Sequence, residues 1–122
     1  GHRGCRHLAA LGDMLELGAA SEDLHAGIGA LVASLGYDFL ALTGVQATVV
    51  ARAASAAGMK EENIRVFANP RAMADWIYPM LARGDLAAGD WLLIKGSRGM
   101  RMEQLLDELE QRLNNSKKNV TE

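Results

Sequence analysis

Two short runs in this sequence combine residue types suited to chemistry. The longer is Lys95-Gly96-Ser97-Arg98-Gly99, which offers two cations, a hydroxyl and two glycines. The shorter is Gly12-Asp13. Glycine lets a backbone come close to a ligand, and Lys95 and Arg98 supply positive charge, so the longer run suits a phosphate or a carboxylate. The Asp13 carboxylate suits hydroxyl donors such as those of a ribose. A plainer reading stays open beside this one. Gly and Ser serve the geometry of many strand–helix turns, and surface Lys and Arg are often only solvated. The run is not a Walker phosphate loop, because its lysine precedes the glycines instead of following them.

The flanking pattern positions both runs. Trp91 to Ile94 has the length and composition of a buried strand. Met102, Leu105, Leu106, Leu109 and Leu113 recur on one face of a helix expected from about Met100 to Leu113. The Lys95 run is therefore a strand-to-helix turn, facing the free N–H groups and positive dipole end of that helix. Upstream, residues 6–13 read as a short buried strand ending in Gly12-Asp13, and residues 14–18 as a loop. Ser21 suits an N-cap, with Glu22 and Asp23 in the first turn. Leu24, Ile28, Leu31, Val32 and Leu35 give the apolar stripe of a helix closed by Gly36.

Asp38 to Thr43 predicts a second strand, Val45 to Ala57 a second helix, and Asn63 to Ala68 a third strand. Asn69-Pro70 opens a further helix, and Pro79 within it predicts a kink or an early break. Residues 84–89 read as a loop before the fourth strand, and the polar stretch from Asn114 onward is expected to fray.

Strands alternating with helices at this spacing predict an α/β fold, a Rossmann-like, doubly wound and mainly parallel sheet with helices on both faces. Ligands in such sheets bind at the carboxyl ends of the strands flanking the topological switch. A strand order of 3-2-1-4 would bring Gly12-Asp13 beside Lys95-Gly96-Ser97-Arg98.

Composition narrows the class. The 122 residues are 49% hydrophobic and 23% charged, an ordinary globular balance for one domain. A net charge of −2 gives no electrostatic case for nucleic acid. No apolar run approaches the roughly 20 residues of a membrane span. Cys5 is the single cysteine, so no internal disulfide forms, and a reducing compartment is expected. No signal peptide is visible, and the absence of a starting Met leads us to expect a fragment or processed chain.

Leu11-Gly12-Asp13-Met14-Leu15-Glu16-Leu17-Gly18, then His25, then Lys95-Gly96-Ser97-Arg98-Gly99-Met100-Arg101-Met102-Glu103 together resemble the C-terminal domain of Mur ligases. The match is best with the branch that adds D-alanyl-D-alanine, whose pattern L-G-D-M-x-E-L-G followed by K-G-S-R-G-M-x-M-E is met almost letter for letter. The resemblance covers the chain to about Leu113. It implies a domain over residues 1–113 and a polar tail over 114–122.

The resemblance implies a reaction, in which ATP phosphorylates the carboxylate of UDP-N-acetylmuramoyl-tripeptide and the amine of D-Ala-D-Ala attacks the acyl phosphate. It implies that Asp13 binds the ATP ribose, and that the turn Lys95, Gly96, Ser97 and Arg98 faces the dipeptide carboxylate. His25 matches a family position next to the site without an assigned role. No catalytic residue or metal ligand is expected here. The phosphate loop and the magnesium-binding positions belong to a central domain, which with an N-terminal domain would complete a cytoplasmic, monomeric ligase. The fragment alone is expected to be inactive.

Two other readings compete. One is a stand-alone Rossmann-like nucleotide-binding or interaction module without catalysis. The other is a folate- or cyanophycin-type relative, against which the K-G-S-R-G-M turn speaks.

Several features are set aside. Asn69-Pro70-Arg71 is similar to the D-N-P-R motif of the diaminopimelate- or lysine-adding relative, but Ala68 replaces its Asp, so it is read as a helix start. Gly27-Ile28-Gly29 lies within a helix pattern and is read as close helix packing, not as a dinucleotide motif. His2, His7 and His25 lack metal-site spacing. Met14, Met100 and Met102 are read as core filler, and Trp76 and Trp91 as core or domain-interface anchors. Asn119-Val120-Thr121 fits a glycosylation sequon that a protein of a reducing compartment would not use.

Overall fold

The computed structural model describes residues 6–13, 21–84, 90–96 and 101–121, without the side chains of Ser21, Trp91 and residues 116–121. Cys5, His2, the loops over 14–18 and 85–89, and the residues Ser97 to Met100 lie outside the described residues, as do the side chains of the sequon.

Four strands, β1 (His7–Leu11), β2 (Phe39–Thr43), β3 (Ile64–Phe67) and β4 (Trp91–Lys95), alternate with four helices, α1 (Ser21–Ser34), α2 (Ala47–Ala56), α3 (Pro70–Arg83) and α4 (Glu103–Thr121). A short 3-10 turn at Glu61–Asn63 leads into β3. The strands form one parallel sheet in the order β3-β2-β1-β4. The switch in winding direction therefore falls between β1 and β4.

The two faces of the sheet follow from the period of two along each strand. Leu8, Ala10 and Ala41 pack with Met73, Ile77, Met80, Leu105 and Leu109 of α3 and α4. Ala9, Leu11, Leu40 and Leu42 pack with Val32, Val50 and Ala54 of α1 and α2. β1 is covered on both faces, which explains its unbroken apolar run. At the amino edge of the sheet two carboxylates pin its start. The Arg6 N–H donates to Asp90 Oδ1 (2.9 Å) and the His7 N–H to Asp38 Oδ2 (2.9 Å).

Five features depart from the sequence reading. β4 is an edge strand, with Leu92 38% exposed, so it is covered less than its apolar run implies. α1 turns only part of its expected stripe inward. His25, Gly29 and Val32 are buried, whereas Leu24, Leu31 and Leu35 are exposed. The cause is Gly29, where an added Cβ would overlap the Val50 carbonyl oxygen and reach Ala53 Cβ at 3.0 Å. The two helices touch through this small residue, and that rotates the leucines outward. Gly27, by contrast, has open space around it.

α3 runs through Pro79 to Arg83 without a break. A proline inside a helix costs about 3 kcal/mol. Ending the helix there would forfeit the burial of Met80, which is 2% exposed, and the registration of Ile77. Burying each such side chain contributes roughly 1.5–3 kcal/mol, so packing offsets the proline. Met102, just ahead of α4, and Leu105 and Leu109 within it are buried as read, but Leu106 and Leu113 are exposed. α4 also continues past residue 113 to Thr121, through the stretch expected to fray.

The start of α3 agrees with its reading. Asn69 Oδ1 accepts the Ala72 N–H at 2.9 Å, and Pro70 takes the first helical position. Trp76 of α3 is half-buried between Phe39 (ring centroids 6.1 Å apart) and Phe67 (6.0 Å), with the Arg65 guanidinium 5.5 Å from its ring centre.

Candidate functional site

The carboxyl ends of β1 and β4 stand side by side. Leu11 pairs with Lys95, and the Gly12 N–H donates to the Lys95 carbonyl at 2.8 Å. Gly12-Asp13 and Lys95-Gly96 thus meet at the switch point, where an open parallel sheet leaves a crevice. Lys95 is exposed there. Gly96 also has a packing reason to be glycine. A Cβ on it would stand 2.7 Å from Met102 Cγ and 3.4 Å from Gly12 Cα, so Met102 closes over the turn. Ser97 and Arg98, the rest of the expected anion cradle, lie outside the described residues. Beyond them Arg101 takes a left-handed conformation (φ 52°) just ahead of α4.

Asp13 is 4% exposed, and its carboxylate faces the opposite side of the switch point, toward β2. Oδ2 accepts the Val45 N–H at 2.6 Å and Oδ1 the Gln46 N–H at 2.8 Å. These are orphan donors at the start of α2, whose own N-cap residue, Gln46, makes no side-chain cap bond. Asp13 is therefore the cap of a helix distant in sequence, and its charge sits at the positive end of the α2 dipole. Gly44 makes this approach feasible. Its φ is +111°, and a Cβ there would lie 2.5 Å from Asp13 Cγ. Among the described residues, each carboxylate oxygen thus accepts one backbone N–H.

His25 is 2% exposed within α1 and already has an interaction partner. Among the described residues no group of three His, Cys, Asp or Glu side chains is placed to hold a metal ion, and no helix is long and apolar enough to cross a membrane. Two surface recesses lie toward the opposite edge of the sheet. One is lined by Ala51, Arg52, Ser55 and Glu61, the other by Tyr37, Asp38, Lys60 and Asn63. Neither includes the charged ends of β1 and β4.

The sequence reading left the β2–α2 turn, Gly44-Val45-Gln46, outside the site. The available signal was indirect. In a parallel sheet every strand ends on the same edge, so a glycine closing β2 had to come near Gly12-Asp13.

Comparison with known proteins agrees with this architecture. Three solved chains from Acinetobacter baumannii share the fold. A crystal structure of MurF superposes with a TM-score of 0.70 at 22% identity, covering 88% of this chain and 23% of that one. A second MurF crystal structure gives 0.66 at 23% identity, covering 89% of this chain and 22% of that one. The third, described as a UDP-N-acetylmuramoylalanyl-D-glutamyl-2,6-diaminopimelate–D-alanyl-D-alanyl ligase, gives 0.64 at 20% identity, with coverage of 90% and 21%. The chain spans about a quarter of the length of these proteins. The family model for the Mur ligase, glutamate ligase domain matches residues 1–98, and by that match the chain belongs to this family.

Proposed function

We propose that this chain is the C-terminal domain of an ATP-dependent, amide-forming ligase that adds D-Ala-D-Ala to UDP-N-acetylmuramoyl-tripeptide in the cytoplasm. The observation that carries the proposal is the meeting of Gly12-Asp13 with Lys95-Gly96 at the ends of adjacent parallel strands. Two neighbouring strand ends, one carrying a carboxylate and the other a cation and a glycine, offer one group for ribose hydroxyls and another for an anion. Asp13 is assigned to the ATP ribose. Lys95, Gly96, Ser97 and Arg98 are assigned to the carboxylate of the incoming dipeptide.

In the proposed reaction a phosphoryl group passes from ATP to the tripeptide carboxylate, releasing ADP. The dipeptide amine then attacks the acyl carbon, the amide bond forms, the C–O bond to phosphate breaks, and phosphate leaves. The part of this domain is positional. Lys95 and Arg98 hold the dipeptide by its carboxylate, leaving the amine free to reach the acyl phosphate. Magnesium and the phosphate loop are assigned to the central domain of the same ligase, and no step is assigned to a metal on this chain.

The test is phosphate release by the full-length ligase containing this domain, with ATP and UDP-N-acetylmuramoyl-tripeptide, comparing D-Ala-D-Ala with single amino acids. Release that requires the dipeptide is expected. Release driven by a single amino acid would move the protein to another branch of the family. The chain by itself should release none.

A further inference from the structure

The outward leucines of α1 form an apolar flank. Leu24 is 46%, Leu31 56% and Leu35 63% exposed. We propose that this flank docks a helix of the same ligase, formed by the stretch that immediately precedes Gly1. The proposal rests on the reading of this chain as one domain of a longer ligase.

Helix geometry fixes where these side chains stand. Gly29 is the point where α1 meets α2. At about 100° per residue, Leu24, Leu31 and Leu35 lie roughly 120–160° around the helix from Gly29, all in the same sense. They therefore occupy the flank turned away from α2. Because α2 lies over β2 and β3, that flank overhangs β1 and β4. There Leu93 of β4 is in register with Ala9, so it points to the same face of the sheet, and it is only half-buried. Leu24, Ile28, Leu31 and Leu35 are spaced four, three and four apart, the seam by which one helix packs along another. The result is an apolar trough with the α1 leucines as its wall and Leu93 in its floor.

Three observations select the occupant. First, the chain spans about a quarter of the length of the MurF structures whose fold it shares, so a ligase of that plan has residues to supply. Second, the chain enters β1 directly beside β4, where the Arg6 N–H is held by Asp90 at 2.9 Å. A crossover arriving at β1 from beyond β4 runs across the sheet in the same direction as β1-α1-β2. The right-handed rule for parallel strands then puts its helix on the face of α1, in this trough. Third, the trough is small. Three part-exposed leucines and Leu93 fall well short of the roughly 800 Å² per partner that holds separate chains together, whereas an attached segment loses little freedom on docking.

The test uses the full-length ligase with the photoprobe p-benzoylphenylalanine in place of Leu31, irradiated, digested and mapped by mass spectrometry. An intramolecular cross-link to the roughly 30 residues before Gly1, the size of one crossover unit, is expected. The same probe in place of Leu106, which is 46% exposed on α4 across the sheet, should not reach that stretch. Leu31→Glu combined with Leu35→Glu should lower Tm of the full-length ligase by about 4 °C or more, and Leu106→Glu by less than about 2 °C. A cross-link to a second copy, to another part of the ligase or to nothing overturns the docking, as does an unchanged Tm in the double variant. If the ligase releases phosphate with D-Ala-D-Ala but the cross-link is absent, the docking falls and the ligase reading stands. If the cross-link forms in a protein that releases no phosphate, the docking stands and the ligase reading falls.

Discussion

Asp13 joins two parts of the chain that lie 32 and 33 positions apart, through main-chain amides alone. The motif around it makes Asp13 conspicuous in the sequence. Its partners are not, because a backbone N–H leaves no mark on residue type. Only Gly44 hints at the contact, as a residue able to take a positive φ against a side chain. Removing the carboxylate leaves two helix-start amides without their partner in a partly buried position. A hydrogen bond to a charged group contributes about 1.5–3 kcal/mol, and a helix cap about 0.5–2 kcal/mol. Asp13→Ala should therefore destabilise the chain by about 2–4 kcal/mol in urea denaturation, with Asp13→Asn in between. Gly44→Ala should cost at least about 2 kcal/mol, through the strained backbone and the clash with Asp13. A near-neutral Gly44→Ala would mean that the turn is not held as described.

At the scale of elements, most strands and helices were legible because apolar periodicity and the closing glycines agree. The inward face of α1 was legible only in part. Of the stripe Leu24, Ile28, Leu31, Val32 and Leu35, Val32 is buried and Ile28 packs on the core, but the close approach at Gly29, in the run read as close helix packing, turns the three leucines outward and His25 inward. Two glycines on this helix should consequently respond with opposite signs. Gly27→Ala meets nothing within 4 Å and should stabilise the chain by about 0.5–1 kcal/mol through helix propensity. Gly29→Ala carries the same propensity gain, but it must part α1 from α2, an overpacking cost of about 1–3 kcal/mol, and should come out destabilising. Thermal unfolding of the two variants gives both signs directly. The early break allowed for at Pro79 does not occur for a related reason, since a local rule about helices met a core that needed residues on both sides of it.

At the scale of the molecule, the parallel sheet and the consequence of a 3-2-1-4 order were legible, because alternation and right-handed crossovers leave few arrangements. That order already makes β4 an edge strand, against its apolar run; the full length of α4 was not legible, since a solvated helix is not written in hydrophobicity. The two helices on one face are also joined by charge. Arg112 donates to Asp75 of α3 at 2.8 Å and to Glu108 at 3.2 Å. The bond to Asp75 is foremost in raising the guanidinium pKa above its ordinary value, with burial opposing and Glu108 adding. The arginine therefore stays charged and never switches this link off. With Asp75 largely exposed, Arg112→Ala should cost no more than about 1 kcal/mol, and less in high salt.

The central claim is that the charged carboxyl edge between β1 and β4 receives the amine substrate. The most direct measurement is KM for D-Ala-D-Ala in the full-length ligase bearing Lys95→Ala, set beside Lys60→Ala. Lys60 is an exposed lysine that precedes β3 at the opposite edge. Loss of a charge-assisted bond to a carboxylate should raise KM about tenfold or more in Lys95→Ala, while Lys60→Ala leaves it unchanged. An unchanged KM in Lys95→Ala, or an equal rise in both variants, would contradict the account.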